Sequence, residues 1–188
     1  MKLSYQKDTK RLVLRPLKKS DFKNWLTASC KVSPPMNCWD FGPLPLEKMK
    51  ELKTYFYKTL VSFHHNHIKQ DTGYYFGVFE KKSGDYIGTC TLMEITRSYF
   101  QNGNLGYRLL NIHWGKGYGT EMLKALIQIA FTELNLHRVV SIIEPINHRS
   151  IKLVKAVGLR REGLSRKRYF LKEKWRDMVV YAITKEDF

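Results

Sequence analysis

The strongest constraint on the fold is segment 114–134, in which a glycine-rich loop runs directly into an amphipathic helix. The loop reads Trp-Gly-Lys-Gly-Tyr-Gly-Thr over 114–120. After it, apolar residues recur at the three- and four-residue spacing of one helix face: Met122, Leu123, Leu126, Ile127, Ala130, Phe131 and Leu134. A helix is therefore predicted here, beginning at the glycines and turning its apolar face to the core.

The glycines at this helix N-terminus are suited to anion binding, because the backbone can come close and its N–H groups and dipole face the ligand. Their spacing, Gly115-x-Gly117-x-Gly119, differs from the G-x-G-x-x-G of dinucleotide folds. A Walker loop would end in Gly-Lys-Ser/Thr, which this segment lacks. Taken alone, such a loop is more often ordinary turn chemistry than a phosphate site.

Strand and helix patterns flank this segment on both sides. Strands are predicted at 11–17, 74–80, 86–95, 105–110, 138–143, 161–171 and 175–183. Further helices are predicted at 21–29, at 47–67 and between Asn147 as N-cap and Gly158 as terminator. The hairpin-length turn at 81–84 implies antiparallel pairing of its neighbours. The fold class is therefore α/β (α+β), with a mixed, mostly antiparallel sheet of about seven strands and about four helices.

Length and composition indicate a single globular domain over 1–188. Hydrophobic residues make up 43% and charged residues 27% of the 188, a balance typical of folded chains. No stretch approaches the length of a membrane span, and the first residues lack the apolar core of a signal peptide, so a cytoplasmic location is expected. The three cysteines lack the paired spacing of a zinc site and are interpreted as free thiols.

The charge balance favours anionic partners. Lys and Arg total 33 against 17 Asp and Glu, a net charge of +16, and the resulting field attracts polyanions. Phosphates of a nucleotide cofactor, ribosomal RNA near a protein substrate and anionic lipid all remain open. Polycationic substrates such as polyamines are disfavoured.

Several motifs, taken in order, resemble the GNAT acetyltransferases. They are Thr9-Lys-Arg-Leu-Val-Leu-Arg-Pro16, Gly106-Tyr-Arg-Leu, the 114–120 loop, Asn147-His-Arg-Ser150, Val157-Gly-Leu-Arg-Arg-Glu-Gly163 and Trp175-Arg-Asp177. The likeness is greatest to the RimJ/RimL branch, the ribosomal-protein-alanine N-acetyltransferases. It covers nearly the whole chain except the loop at about 30–45. Trp114 stands where the wider superfamily usually has Gln or Arg.

The resemblance implies a GNAT acyl-CoA N-acyltransferase fold with acetyl-CoA as co-substrate and no metal. Main-chain amides of the glycine loop would bind the coenzyme A pyrophosphate, and the strand matching Tyr107–Leu110 would align the pantetheine arm. Strands ending near Leu110 and Ile143 would splay into a V-shaped slot. The cofactor-binding residues are then Leu109, Leu110, Trp114, Gly115, Lys116, Gly117, Tyr118, Gly119, Thr120, Asn147, Ser150 and Lys152.

The chemistry needs a neutral amine, a donor to the tetrahedral oxyanion and a proton for the departing thiolate. The family's Asn-x-x-Ser motif implies Ser150 as the proton donor, with helix capping as the alternative role. Alternation along 86–95 would put Glu94 near the mouth of the slot as the base, where burial could raise its pKa, with a solvent-facing carboxylate at the strand end as the alternative. Glu144 or a water relay could serve instead, and Asn104 occupies a position where relatives often carry Glu.

The acceptor implied by the resemblance is the N-terminal α-amine of a protein such as a ribosomal protein. A small amine, an amino sugar or an antibiotic is an alternative within the same class. A basic RNA- or ribosome-binding module with a non-catalytic GNAT fold is the alternative from another class. Aromatic residues Trp39, Phe41 and Tyr169 are candidates to line the acceptor pocket.

Two further patterns have alternative interpretations. His64 and His67 lie one helical turn apart, but no further Cys/His ligand group accompanies them, so no metal site is predicted. The basic residues at 160–161 and 166–168 are suited either to RNA contact or to a solvated strand face.

Overall fold

The structure, a computed structural model, describes residues 2–36, 39–40, 42–171 and 173–188. Helix α1 is Phe22–Cys30. Helix α2 consists of three consecutive parts, Met49–Tyr55, a π-helical part Phe56–Phe63 and His64–Gln70. Helix α3 is Tyr118–Gln128 with a π-helical extension Ile129–Glu133, and helix α4 is His148–Ala156. None of the described helices is long and apolar enough to cross a membrane.

The strands form one sheet in the order β1-β2-β3-β4-β5-β6-β8-β7. They are β1 Lys7–Asp8, β2 Leu12–Arg15, β3 Gly73–Glu80, β4 Tyr86–Thr96, β5 Asn102–Leu109, β6 Arg138–Ile143, β7 Arg160–Leu171 and β8 Lys174–Thr184. Eight strands replace the expected seven because β1 has two residues, too few to show alternation. The mixed, mostly antiparallel sheet is confirmed, since only β5 and β6 pair in parallel.

The parallel pair at the centre of the sheet is very short. Asn102–Asn104 of β5 pair with Arg138–Val140 of β6. Beyond that point β5 continues to Leu109 and β6 to Ile143 without pairing to each other. The predicted splaying of these two strands is confirmed, and it opens a gap in the middle of the sheet.

Helix α3 covers one face of the sheet with the predicted apolar stripe. Met122, Leu123, Leu126 and Ile127 are fully buried there in the main core. A second cluster forms on α1 and α2 around Trp25 and Phe56, and includes Phe79 and Tyr86 of the sheet. The two clusters lie on opposite faces of the same strands, so helices sandwich the sheet and hold the gap between β5 and β6 in place.

An ion pair fastens the start of α1 to β2. The Arg15 guanidinium donates to both Asp21 carboxylate oxygens, at 2.7 and 2.8 Å, and the Lys18 N–H donates to the same carboxylate at 2.7 Å. Burial alone would raise the pKa of Asp21, but these donors outweigh it and hold the pKa below its usual range. The carboxylate is therefore more stable in the folded chain than in the unfolded one.

We expect Asp21→Asn to lower the free energy of unfolding at pH 7 by about 2 kcal/mol, because Arg15 loses its charged partner. Since the folded pKa of Asp21 lies below the unfolded one, its contribution is complete above the unfolded value and disappears as pH falls through the folded value. The difference between the two proteins should therefore shrink below about pH 4. Urea unfolding at several pH values measures it, with exposed Asp85→Asn as the matched control; equal stability at pH 7 would contradict the prediction.

Candidate active site

A cavity of about 700 Å³ occupies the gap between β5 and β6. Successive β5 residues, Tyr107 and Arg108, both line it, although neighbouring strand residues point to opposite faces. The opening therefore passes through the sheet. Its other lining residues are Trp39, Asp40, Leu109, Trp114, Gly115, Gly117, Gly119, Thr120, Met122, Asn147, Arg149, Ser150, Lys152, Leu153 and Ala156.

The glycine loop closes one end of this cavity, and α3 begins within the loop, with Gly117 as the N-cap and Tyr118 as the first helical residue. Gly115 and Gly117 both have φ of +77°, a left-handed conformation that favours glycine. Gly119 packs against α4, where an added Cβ would come within 3.2 Å of the Leu153 side chain. The loop thus presents the helix N-terminus and its free N–H groups to the cavity.

Trp114 and Arg149 form one wall beside the loop. The Arg149 guanidinium lies over the Trp114 ring, 3.9 Å from its centroid, which is a cation–π contact. The Trp114 indole N–H donates to the Leu109 carbonyl at 2.8 Å. Because the tryptophan is tied to the end of β5, the arginine is held at the edge of the cavity.

A network from the first strand region supports the loop from behind. The Glu121 carboxylate accepts from the Thr9 hydroxyl at 2.6 Å and from the Arg11 N–H and Nε at 2.7 and 2.6 Å. Arg11 also donates to the Lys116 carbonyl at 2.8 Å. One arginine therefore connects β2, α3 and the glycine loop.

Two hydroxyl groups meet in the cavity near its middle. The Tyr107 hydroxyl donates to Ser150 Oγ at 3.0 Å and lies 3.3 Å from the Ser150 carbonyl. Burial raises the pKa of Tyr107 to about 12, so this phenol keeps its proton at neutral pH. The Ser150 N–H donates to Asn147 Oδ1 at 3.2 Å, which confirms Asn147 as the N-cap of α4.

Nine of the twelve residues predicted to bind the cofactor line the cavity: Leu109, Trp114, Gly115, Gly117, Gly119, Thr120, Asn147, Ser150 and Lys152. The other three do not line it. Leu110 is buried in the cluster on α1 and α2, and the Lys116 side chain is exposed. The Tyr118 side chain is buried and donates to Glu80 on β3.

The candidate base Glu94 lies at the fork of the sheet but outside the lining of the cavity. A bulge in β4 gives Glu94 a φ of +52°, and its carboxylate accepts from the amide of Asn104, the last β5 residue paired with β6. Its side chain is exposed, which agrees with the alternative of a solvent-facing carboxylate and not with a buried base. Glu144, the alternative base, is buried and forms an ion pair with Arg176 at 3.4 Å.

Sequence reasoning missed four polar residues of the cavity as individual site residues: Tyr107, Arg108, Arg149 and Asp40. Tyr107 lies on the strand that is expected to align the pantetheine arm. The alternation of side chains along that strand could have predicted that the Tyr107 side chain faces the gap. Arg149 lies inside the Asn-x-x-Ser motif. Asp40 belongs to a loop with no periodicity, where no sequence signal could have found it.

The predictions for the aromatic acceptor residues have different outcomes. Trp39 lines the cavity, and Tyr169 is an exposed residue of β7 that does not. Phe41 lies outside the described residues.

The three histidines of α2 are engaged in other contacts. The His64 ring stacks on Tyr75 with centroids 3.9 Å apart, and burial lowers its pKa to about 4. His65 and His67 hydrogen-bond to the Leu17 carbonyl at 2.8 Å and the Thr72 hydroxyl at 2.7 Å. Within the described part of the chain, no group of three or more His, Cys, Asp or Glu is arranged to hold a metal ion.

Comparison with known proteins decides the family. The family described as Acetyltransferase (GNAT) domain matches residues 11–160. This chain belongs to the GNAT family. The GNAT match includes the cavity, the glycine loop and the helix that carries Ser150, so the resemblance seen in the motifs is confirmed.

Curated relatives of this GNAT chain include proteins of the RimJ/RimL kind. It is 35% identical over 120 residues to probable N-acetyltransferase YjcK of Bacillus subtilis (strain 168), covering 64% of this chain and 66% of that protein. It is 31% identical over 120 residues to [ribosomal protein uS5]-alanine N-acetyltransferase of Escherichia coli (strain K12), covering 64% and 62%. The matches thus span slightly less than two thirds of these relatives.

A solved structure shows the same GNAT fold. Mycobacterium smegmatis RimJ in complex with CoA-disulfide superposes with a TM-score of 0.75 at 21% identity, covering 94% of this chain and 83% of that one. At this identity the likeness establishes the architecture only. The GNAT fold expected from the motifs is therefore confirmed by structure as well as by sequence.

We expect Gly117→Ala to weaken coenzyme A binding by roughly 10-fold, because a side chain at φ +77° is strained by about 1–2 kcal/mol and the loop must shift. The measurement is the coenzyme-induced rise in melting temperature across a concentration series. Gly84→Ala, also at positive φ but in a hairpin turn, and Gly163→Ala, with open space around it, are matched controls. A wild-type response in Gly117→Ala would show that the loop does not bind the coenzyme.

Proposed function

We propose that this chain is an acetyl-CoA-dependent N-acetyltransferase, a single GNAT domain over 1–188 that transfers an acetyl group to a primary amine by direct attack. The observation that carries the proposal is the cavity between β5 and β6. It has an anion-binding loop at one end and the Ser150–Tyr107 hydroxyl pair along its wall. Both parts of a thioester coenzyme, the phosphates and the reacting sulfur, have a place in this arrangement.

The described residues fit acetyl-CoA, which supplies the acetyl group as a thioester. The free N–H groups of the glycine loop and the Arg149 and Lys152 side chains suit phosphates. Beyond Asn104, β5 has a partner strand on one side only, so alternate backbone N–H and C=O groups face the gap. These groups suit the amides of the pantetheine arm and provide an N–H donor for the oxyanion.

Ser150 is the proposed proton donor to the departing thiolate. Because Tyr107 donates to Ser150 Oγ, the serine is left free to direct its own proton elsewhere, toward the cavity. Its backbone N–H is already held by Asn147. Helix capping therefore involves the backbone N–H of Ser150, whereas the proposed proton transfer involves its side-chain hydroxyl.

The base remains Glu94 in this proposal, with a water relay as the alternative. Its contact with Asn104 at the fork puts the carboxylate beside the point where the strands part. An α-amine has a reference pKa near 7.7–8.0, so a fraction is already neutral at pH 7 and water can take the proton. Glu144 is less suited because Arg176 already pairs with it.

The N-terminal α-amine of a protein, such as a ribosomal protein, is the proposed acceptor. The Escherichia coli relative, at 31% identity, is named for acetylating an alanine of ribosomal protein uS5. The net charge of +16 supports an approach to an RNA-rich particle in the cytoplasm. Exposed basic residues of β7, among them Arg161, Arg166 and Arg168, contribute to that charge.

Thiol release from acetyl-CoA tests the proposal with three acceptor classes: peptides beginning with Ala, Ser or Thr, small amines, and an aminoglycoside. Turnover on the peptides is the expected result. Turnover on a small amine or aminoglycoside alone would assign the chain to the alternative acceptor class. No turnover together with no thermal shift by acetyl-CoA would contradict the enzyme assignment and favour the binding module.

We expect Ser150→Ala to lower kcat by roughly 10²-fold, in the range of one general-acid contribution. Tyr107→Phe should lower it by roughly 3- to 10-fold, because it removes one positioning hydrogen bond of about 1 kcal/mol. The measurement is kcat and the KM for acetyl-CoA, with the thermal shift by acetyl-CoA as a check that binding persists. If Ser150→Ala keeps the wild-type kcat, the serine is not the proton donor and its role is limited to the cap of α4.

A further inference from the structure

The cavity is lined by several cations but by a single carboxylate. Arg108, Arg149 and Lys152 are the basic residues of the lining, and Asp40 is the acidic one among the described residues. The chain has a net charge of +16, so a carboxylate at the cavity carries a charge opposite to that of most charged groups around it. This carboxylate makes one part of the cavity suited to a cation, whereas the basic residues of the lining suit anions.

Hydrogen bonds hold this carboxylate in place. Asp40 Oδ2 accepts from the Asn111 side-chain amide at 2.9 Å and from the Met36 N–H at 3.1 Å. Asn111 is 9% exposed and lies two residues after the last residue of β5, and its amide group also bonds the Ser33 N–H and carbonyl, both at 2.9 Å. A buried side chain at the end of β5 therefore ties the loop to the cavity and orients Asp40.

Both hydrogen bonds that Asp40 accepts from described residues are to Oδ2, so these residues leave its second carboxylate oxygen to a ligand. Oδ1 accepts no hydrogen bond from any of the residues that the structure describes. Next to it in the chain, Trp39 lines the same cavity. A carboxylate and an indole together attract a cation, the one by charge-assisted hydrogen bonding and the other by its ring face.

We propose that Asp40, together with Trp39, forms the subsite that binds the protonated amine of the acceptor. This assignment rests on the proposed function and deepens it, because it names the group that recognises the ammonium. The coenzyme phosphates are excluded as the occupant, since a carboxylate repels them and the glycine loop receives them. Asp40 acts in binding: the bound ammonium gives its proton to the base before the amine attacks.

The subsite explains why a strongly basic enzyme can accept a cationic group. Without a local carboxylate, Arg108, Arg149 and Lys152 would repel an ammonium from the cavity. Asp40 offsets them at one position only, so the acceptor amine is directed to that position. Asn111 is the positioning residue, because it acts on the acceptor through Asp40.

The test is Asp40→Asn in the full chain, assayed with whichever acceptor the wild-type protein turns over. We expect the acceptor KM to rise by roughly 10- to 100-fold, the loss of one charge-assisted contact, with the KM for acetyl-CoA unchanged. Exposed Asp85→Asn is the matched control. Asn111→Ala should raise the acceptor KM by a smaller factor, and its melting temperature shows whether it remains folded.

The pH dependence separates ammonium binding from a structural role. In the wild-type protein the acceptor KM should rise above about pH 8, where an α-amine loses its proton, whereas in Asp40→Asn it should vary much less with pH. An unchanged acceptor KM in Asp40→Asn, or a rise confined to the KM for acetyl-CoA, would overturn the assignment alone. No turnover by the wild-type protein with any acceptor would contradict the proposed function itself.

Discussion

The short parallel pairing of β5 and β6 is the constraint on which the rest of the structure depends. Three residues of each strand pair, and the strands then part while each stays bonded to its other neighbour. Backbone groups facing the gap lose their strand partners, and buried polar groups without partners are costly. Water or a ligand must satisfy them, so a ligand site follows from the topology.

Around this gap the chain places groups of different chemistry from distant parts of the sequence. The glycine loop and Arg149 suit anions, Tyr107 and Ser150 contribute a hydrogen-bonded pair of hydroxyls, and Asp40 introduces the one acidic position of the described lining. In the function proposed above, this arrangement would separate phosphates from amine inside one opening. Such a separation is needed when an anionic donor and a cationic acceptor share a cavity, because each would otherwise compete for the other's contacts.

Features with a local periodic signal were predictable, and features set by contacts between distant segments were not. The apolar stripe of α3, the glycine loop and the Asn147 cap follow from spacing and side-chain type alone. The two-residue strand β1 has too little pattern to be seen. Alternation left both a buried and a solvent-facing Glu94 open, and the bulge in β4 that changes the course of the strand is not foreseeable from alternation. The contacts of Tyr107 with Ser150 and of Asp40 with Asn111 join residues 43 and 71 positions apart.

Arg11 shows what such distant contacts mean for the acquisition of function. It bonds the glycine loop across 105 positions of sequence, and a contact over so long a stretch of chain carries an entropic cost of loop closure. A partly folded chain in which Arg11 has not reached the glycine loop contains the glycines but lacks the hydrogen bond that supports them. The coenzyme binds the completed fold and draws the folding equilibrium toward it. Coenzyme binding therefore depends on the complete fold, including the contact between Arg11 and the glycine loop.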